Sequence, residues 1–191
     1  MAQLVPAIFL DRDGTINVEK NYLYKIEEFE YLPGVKEGLK ILQKLGFILI
    51  IVTNQSGIAR GYYTVQDYFK LTEWMIADLK KDGINIANCY YCPHHPESKI
   101  EQFKKDCNCR KPRLGLFEKA IMEYDIDLSN SYAIGDKYRD LALCDAKEQN
   151  TVQGFLLYTK NKEKGNIHCI EGGVYEAAKC IEKREENGKM D

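Results

Sequence analysis

The sequence predicts an α/β protein built on a doubly wound parallel sheet. Short apolar runs that suit buried strands alternate with segments whose apolar residues recur at helical spacing. Polar residues able to carry chemistry directly follow several of these runs, among them Asp11, Thr53 and Asp136. In open parallel sheets, ligands lie in the crevice beyond the carboxyl ends of the strands. We therefore expect these side chains to meet at one edge of the sheet.

The first predicted strand is the apolar run Ala7 to Leu10, which is followed by two acids, Asp11 and Asp13. Acids two residues apart lie on the same side of an extended segment, so their charges repel unless a cation offsets them. Mg²⁺ is the cation that this pair predicts. Gly14 then permits a sharp turn away from the sheet edge.

A flap, a helix and a second strand come next. Residues Ile16 to Tyr31 mix β-branched, aromatic and charged residues, which suits a flap or hairpin over the strand end, with Asn17 facing a ligand. Apolar residues recur at helical spacing from Val35 to Leu45, and Phe47 to Val52 then reads as a buried strand. Strand, crossover helix and strand form the repeating unit of a parallel sheet.

The second strand ends in Thr53-Asn54-Gln55-Ser56-Gly57, whose hydroxyl, amide and backbone N–H groups can hold phosphate oxygens. Only 39 residues separate Asp13 from Thr53, and the flap, helix and strand occupy nearly all of them. We therefore expect no helical cap domain at this position.

The remaining elements follow the same alternation. They are a helix at Tyr68 to Lys81, a strand at Ile84 to Tyr91, a helix at Leu116 to Tyr124, a strand at Ser131 to Ile134, a strand at Val152 to Tyr158, and a closing helix at Val174 to Glu185.

Cysteine and histidine residues cluster after the third strand. The chain has seven cysteines, an odd count, and three of them lie between Cys92 and Cys109. Three thiolates and one histidine make a closed tetrahedral Zn²⁺ site of the structural kind. Cys89 competes with Cys92 and His95 competes with His94, so spacing alone leaves the ligands open.

Two further clusters of charge follow the cysteine loop. Arg110 and Lys111 precede Pro112, which can fix the direction of both cations. Asp136 lies at the end of a predicted strand, as Asp11 does. Asp140 beyond it either supports the site as an additional acid or caps the next helix.

Composition limits the classes of function. The balance of 27 basic and 29 acidic residues, with a net charge of -2, gives no broad surface for nucleic acid, and no run reaches membrane-spanning length. The N-terminal apolar stretch is interrupted by Asp11, which is unlike a signal peptide. We expect one cytoplasmic domain over residues 1–191, with a zinc loop at about 89–112 and no nucleic-acid or membrane partner. The rival class is a zinc-dependent nucleic-acid-binding module, suggested by the cysteine loop and its neighbouring cations.

Four stretches together resemble the motif set of the haloacid dehalogenase (HAD) superfamily of phosphotransferases, in the expected order. They are Asp11-Arg12-Asp13-Gly14-Thr15, Ile50-Ile51-Val52-Thr53-Asn54-Gln55, Arg110-Lys111-Pro112 and Ala133-Ile134-Gly135-Asp136-Lys137. The resemblance implies that Asp11 attacks phosphorus, and that Asp13 protonates the leaving group and later activates water. Thr53 and Lys111 then bind the equatorial phosphate oxygens.

The same resemblance implies a magnesium site, in which Mg²⁺ binds the Asp11 carboxylate, the Asp13 backbone carbonyl and Asp136.

A closer resemblance covers almost the whole chain, to the family of D-glycero-D-manno-heptose-1,7-bisphosphate 7-phosphatases, small enzymes without a cap that share ancestry with histidinol phosphatase. It implies Mg²⁺-dependent removal of the 7-phosphate through an aspartyl phosphate, with histidinol phosphate as the alternative substrate. By analogy, Zn²⁺ is bound by Cys92, His94, Cys107 and Cys109. The substrate-binding residues that we expect are Asn17, Asn54, Gln55, Arg110, Lys111 and Lys137. We expect a small sugar phosphate as partner and a monomeric protein.

Overall fold

Six parallel strands form one sheet in this computed structural model, which describes residues 4–145, 152–160 and 165–188. The strands are β1 (Ala7–Leu10), β2 (Ile48–Asn54), β3 (Ile86–Cys92), β4 (Tyr132–Gly135), β5 (Gln153–Leu156) and β6 (Ile167–Cys169). They lie in the order β3-β2-β1-β4-β5-β6, and every neighbouring pair is parallel. The order reverses at β1, so the crevice beyond the end of β1 is the expected place for a ligand.

Helices cover the sheet. They are α1 (Val35–Lys44), α2 (Ser56–Ala59), α3 (Val65–Lys81), α4 (Gly115–Tyr124) and α5 (Val174–Gly188), with 3₁₀ helices at Ile26–Glu28, Glu101–Phe103, Leu128–Asn130 and Tyr138–Asp145. Residues 14–52 hold only the flap, α1 and most of β2, so the predicted absence of a helical cap there is confirmed. Within the described part of the chain, no helix is long and apolar enough to cross a bilayer.

Both faces of the sheet are buried, which explains why the strands read as continuous apolar runs. Ile8 and Leu10 of β1 face the core shared with α1 and α5. The alternate residue Phe9 packs edge-on against Phe117 of α4 on the opposite face, with ring centroids 5.5 Å apart. This double burial holds the central strand, and the residues that follow it, in a fixed position.

The sequence predicts the central strands to within two residues at each end, but three local features differ. α3 begins at Val65 rather than Tyr68, because the Thr64 hydroxyl and the Asp67 carboxylate form a capping box. The short helix α2 was not predicted. The short strand β6 was not predicted, since three residues carry too little pattern.

The flap is irregular rather than a regular hairpin. It contains one antiparallel bridge, between Asn17 and Tyr31, and the 3₁₀ helix at Ile26–Glu28. Its apolar residues Ile16 and Leu23 are buried, so the segment packs onto the sheet edge as expected.

Candidate active site at the carboxyl edge of the sheet

The residues predicted to follow the strands do meet at one edge. Asp11 follows β1, Thr53 lies near the end of β2, and Asp136 follows β4. Carboxylate oxygens of Asp11, Asp136 and Asp140 lie within 4.8 Å of one another. Three acids held this closely need cations to offset their repulsion.

Lys111 supplies one of those cations. Its Nζ lies 2.9 Å from Asp11 Oδ1 and 2.8 Å from Asp140 Oδ1, and it also donates to the Val52 carbonyl. Burial lowers the pKa of Lys111, but the two carboxylates outweigh this and raise it, so the ammonium stays charged. Burial raises the pKa of Asp11 despite the attraction of Lys111.

The backbone of Lys111 is held by Asn54. The Lys111 N–H donates to Asn54 Oδ1 over 3.0 Å, and Asn54 Nδ2 donates to the Lys111 carbonyl over 3.1 Å. This pair of bonds joins the end of β2 to the segment that follows the cysteine loop. Asn54 was predicted as a substrate contact, which stays a prediction, and its amide holds the Lys111 backbone.

Asp140 both supports Lys111 and orders the turn after β4. Its Oδ2 accepts the Lys137 backbone N–H over 3.1 Å at the start of the 3₁₀ helix at Tyr138–Asp145, while its Oδ1 pairs with Lys111. Asp140 is therefore both an additional acid beside Lys111 and a cap of the 3₁₀ helix, the two roles that the sequence left open.

Asp13 lies in a hydrogen-bond cage. Arg12 Nη2 donates to both of its carboxylate oxygens, at 2.9 and 2.8 Å, and Gln55 Nε2 donates over 2.9 Å. Asn17 Nδ2 donates over 3.0 Å. Burial raises the pKa of Asp13, but the Arg12 charge and these hydrogen bonds outweigh it and lower the pKa. Asp13 is therefore ionised and oriented in the free protein.

Two details of this cage differ from the sequence interpretation. Asn17 is 0% exposed and contacts Asp13 and its own segment, so the structure gives it an orienting position rather than a place on the open cavity wall. Arg12 was not singled out, because strand alternation directs it away from its neighbouring acids. After β1 ends, its side chain instead turns back to Asp13 and lies 5.7 Å from the Tyr68 ring centroid.

The carboxylates of Asp11, Asp136 and Asp140 form a group that suits a hard divalent cation. Asp136 Oδ1 is buried and has no hydrogen-bond partner among the described residues, an arrangement that costs free energy unless a ligand satisfies it. Gly14 has a φ of +84°, and a Cβ there would lie 2.6 Å from Asp136 Oδ2. Glycine therefore lets the backbone after Asp13 approach this carboxylate, and an all-oxygen donor set is what Mg²⁺ prefers.

A separate cluster of sulfur and nitrogen atoms lies beside this edge. Donor atoms of Cys92, His94, Cys107 and Cys109 lie within 4.8 Å of one another. Cys109 Sγ is 3.1 Å from Cys92 Sγ and 3.2 Å from Cys107 Sγ, far beyond the roughly 2.05 Å of a disulfide. This donor set suits a soft or borderline metal ion in a closed site.

The two competing residues lie outside that cluster. His95 Nε2 is 3.2 Å from Arg60 Nη2, and Cys89 lies earlier on β3, packed against the core that contains α1. The structure therefore brings together the same four side chains that the family resemblance implied as ligands.

A polar cavity of about 350 Å³ opens beside Asp13. Among the described residues that line it, four are cations: Arg60, Arg110, Lys137 and Arg139. Asp13 and Glu19 are its carboxylates. Asn54 and Gln55 line it too, whereas Thr53 and Lys111 are buried and are not among the residues that line it.

Sequence reasoning missed Arg60, Arg139 and Glu19. Arg60 follows the unpredicted helix α2, Arg139 lies in the unpredicted 3₁₀ helix at Tyr138–Asp145, and Glu19 lies in the flap. Their convergence depends on tertiary structure, so no local pattern of the sequence marks them.

Comparison with known proteins places these features in context. The family model described as "Polynucleotide kinase 3 phosphatase" matches residues 7–160. A D-glycero-beta-D-manno-heptose-1,7-bisphosphate 7-phosphatase of Photorhabdus laumondii is 48% identical over 141 residues, which is 74% of this chain and 75% of the relative. The protein of the same name from Escherichia coli K12 is 48% identical over 141 residues, covering 74% of each chain.

A solved structure is also similar. The D,D-heptose 1,7-bisphosphate phosphatase of B. bronchiseptica, complexed with magnesium and phosphate, superposes with a TM-score of 0.79 at 26% identity, over 94% of this chain and 99% of the other. The predicted HAD-like parallel fold is confirmed.

Proposed function

Because the chain belongs to the family of D-glycero-β-D-manno-heptose-1,7-bisphosphate 7-phosphatases and is a phosphoric monoester hydrolase, we propose that it removes the 7-phosphate of the β anomer of this bisphosphate. The product is the heptose 1-phosphate, a precursor for nucleotide-heptose and lipopolysaccharide core synthesis.

In the first step, an Asp11 oxygen forms a bond to phosphorus while the bond from phosphorus to the sugar oxygen breaks. Thr53 and Lys111 bind the equatorial oxygens, where the transition state spreads its charge. Lys111 already lies against Asp11, so its ammonium can bind nucleophile and phosphate together. Asp13 gives a proton to the departing sugar oxygen. Ionised in the free protein, Asp13 is protonated more easily once a phosphate anion approaches, because like charges raise a carboxyl pKa.

In the second step, Asp13 takes a proton from water, and that water attacks phosphorus and releases Asp11. The hydrogen-bond cage around Asp13 suits this step, since it holds an ionised carboxylate in one orientation. General acid–base catalysis by such a group contributes on the order of 10²–10⁴ to the rate.

We further propose how the two metal sites are filled. The Asp11 carboxylate, the Asp13 backbone carbonyl and Asp136 hold Mg²⁺, which supplies neutralisation of charge on the phosphate. The unpartnered Asp136 oxygen supports this assignment. Cys92, His94, Cys107 and Cys109 hold Zn²⁺, supported by the mutual distances of their donor atoms.

The excess of positive charge in the cavity is the observation that favours the heptose bisphosphate over histidinol phosphate as substrate. Arg60, Arg110, Lys137 and Arg139 outnumber the two carboxylates that line the same space. A bisphosphate brings a second anion to these cations once its 7-phosphate lies beside Asp11. Histidinol phosphate, the alternative substrate, carries an amino group and an imidazole at that end, so its charge is repelled.

Initial rates with Mg²⁺ on three substrates test the proposal: the β-heptose bisphosphate, histidinol phosphate and a 3′-phosphorylated oligonucleotide. We expect the highest kcat/KM for the bisphosphate. A higher value for either of the others would overturn the substrate assignment.

A pair of charge-removing variants tests the role of the cavity. Arg110→Ala should raise KM for the bisphosphate more than for heptose 7-phosphate, which lacks the second anion. Lys81→Ala is the control for loss of one positive charge, because Lys81 pairs with Asp78 on the surface and does not line this cavity. Equal effects of Arg110→Ala on both substrates would refute contact with the 1-phosphate.

We also propose that the protein works as a monomer in the cytoplasm. A reducing compartment keeps thiolates available as metal ligands, and the chain has three of them in one cluster. Sedimentation of the zinc-loaded protein tests the oligomeric state.

A further inference from the structure

The Gln55 side chain contacts two residues that are proposed to act on either side of the bond that breaks. Asp13 acts on the sugar oxygen, and Thr53 acts on the phosphate. Gln55 Nε2 donates to Asp13 Oδ2 and to Thr53 Oγ1, each over 2.9 Å. Asp13 is the proposed acid and base, and Thr53 is a proposed phosphate contact. The orientation of one amide therefore affects both.

That orientation depends on what the amide oxygen contacts. Arg12 Nη2 donates to Gln55 Oε1 over 3.2 Å, but the same nitrogen also donates to Asp13 and to the Leu23 carbonyl. Tyr63 donates its hydroxyl to Oε1 over 2.6 Å, which is the shorter of the two bonds. If the amide rotated by half a turn, its oxygen would face the Asp13 carboxylate and both groups would be acceptors.

The Tyr63 ring is itself held in one place. It is buried at 6% exposure and stacks on Tyr24 of the flap, with centroids 5.4 Å apart and planes at 17°. Gly57 provides the space for it, since a Cβ there would lie 2.1 Å from Tyr63 Cε1. Burial raises the pKa of Tyr63, so its hydroxyl keeps the proton that it donates.

We infer that Tyr63 is a positioning residue, which fixes the Gln55 amide and through it the directions of Asp13 and Thr53. The inference rests on the proposed phosphatase mechanism for its effect on rate. Tyr24 of the flap contributes only its ring, which stacks on the ring of Tyr63.

Tyr63→Phe tests the inference, because it keeps the ring and removes only the donor. We expect kcat to fall about 2- to 10-fold, the range for loss of one neutral hydrogen bond, with KM nearly unchanged. Tyr24→Phe is the matched control, since no hydrogen bond of its hydroxyl is found among the described residues, and it should retain wild-type kcat. A fall confined to KM, or an equal fall in the control, would overturn the inference.

A double-mutant cycle separates positioning from a general loss of packing. In a Gln55→Ala background, Tyr63→Phe should cause no further loss of kcat, because the amide that it orients is absent. Additive losses would show that the hydroxyl acts by another route.

A measurement without substrate keeps this test separate from the proposed function. In ¹⁵N spectra of the metal-loaded protein without substrate, the Gln55 side-chain amide, assigned with Gln55→Glu, should exchange slowly with solvent. Faster exchange in Tyr63→Phe but not in Tyr24→Phe supports the inference even if another phosphate ester proves to be the substrate. Unchanged exchange in Tyr63→Phe would overturn it.

Discussion

Asp11 and Asp13 carry the same carboxyl group, yet the protein holds them in different settings. Asp11 contacts a buried lysine, and burial still raises its pKa. Asp13 contacts an arginine and two amides, which together lower its pKa. This difference suits two acids two residues apart to the separate roles that we propose for them, nucleophile and acid–base group.

Asparagine substitutions should separate these roles. Asp11→Asn should abolish turnover and weaken Mg²⁺ binding, because an amide neither attacks phosphorus nor binds the ion comparably. Asp13→Asn should reduce kcat by about 10²–10⁴ while Mg²⁺ affinity largely survives, since the backbone carbonyl remains. Titration calorimetry with Mg²⁺ and steady-state rates measure the two effects. The division of roles is wrong if Asp13→Asn loses Mg²⁺ as completely as Asp11→Asn.

Gly14 should be required for metal binding as well as for the turn. Gly14→Ala places a Cβ 2.6 Å from Asp136 Oδ2, which must displace that carboxylate. We expect Mg²⁺ affinity to fall about 10- to 100-fold, as when groups that orient a metal ligand are changed. The readout is Mg²⁺ titration of folded protein, checked by circular dichroism.

Gly83→Ala is the matched control for backbone strain. Gly83 also has a left-handed φ, +77°, but a Cβ there meets no heavy atom within 4 Å. Both substitutions should cost similar stability, and only Gly14→Ala should lose the metal. Equal Mg²⁺ affinity in the two variants would contradict this account.

At the level of strands and loops, the site residues that the sequence predicted include those that follow strands and those, such as Arg110 and Lys111, that belong to a motif of the resembled superfamily. Asp11, Thr53 and Asp136 could be located because parallel strands end at a common edge. Arg12 could not, since its direction is set by a turn after the strand ends. Arg60 and Arg139 could not either, because α2 and the 3₁₀ helix at Tyr138–Asp145 form through tertiary contacts rather than through periodic sequence.

The cysteine loop is fixed to the rest of the site at several points. Cys109 is two residues from Lys111, and Asn54 holds the Lys111 backbone. The Ser98 hydroxyl donates to the Ala59 carbonyl of α2 over 2.6 Å. Phe103 packs on the cluster of Ile58, Tyr63 and Tyr68. Metal binding in this loop can therefore affect the position of the phosphate-binding groups.

Loss of Cys107, a proposed zinc ligand, should loosen the loop without unfolding the sheet. We expect Cys107→Ser to reduce substrate capture and turnover, because a displacement of about 1 Å in positioned groups can cost on the order of 10²-fold. Hydrogen exchange should increase over residues 92–111, measured with Mg²⁺ present. Cys180→Ser on α5 is the control and should change neither property. Unchanged kinetics and protection would refute the organising role, and global unfolding would show that the metal holds the fold itself.

Across the whole molecule, the sheet is buried on both faces while its carboxyl edge stays open. The two cores use alternate residues of the same strands, so the edge is supported from both sides. The chain as a whole carries a net charge of -2, yet the cavity at this edge has more cations than carboxylates. The positive charge that suits an anion is therefore a local property of this cavity, and the net charge of the whole chain does not reveal it.

The cavity is open, and residues 14–52 form no helical cap over it, so its cations are in contact with bulk electrolyte. The Debye length is about 10 Å at 0.1 M salt and about 3 Å at 1 M, so dissolved ions screen an exposed arginine far more than they screen the buried pair of Lys111 and Asp11. We expect KM for the bisphosphate to rise several-fold between these ionic strengths at fixed Mg²⁺, while kcat changes little. Salt-independent KM would contradict this account. The affinity of the enzyme for its substrate thus depends on the ionic strength of the solution, whereas the rate of the step that breaks the ester bond does not.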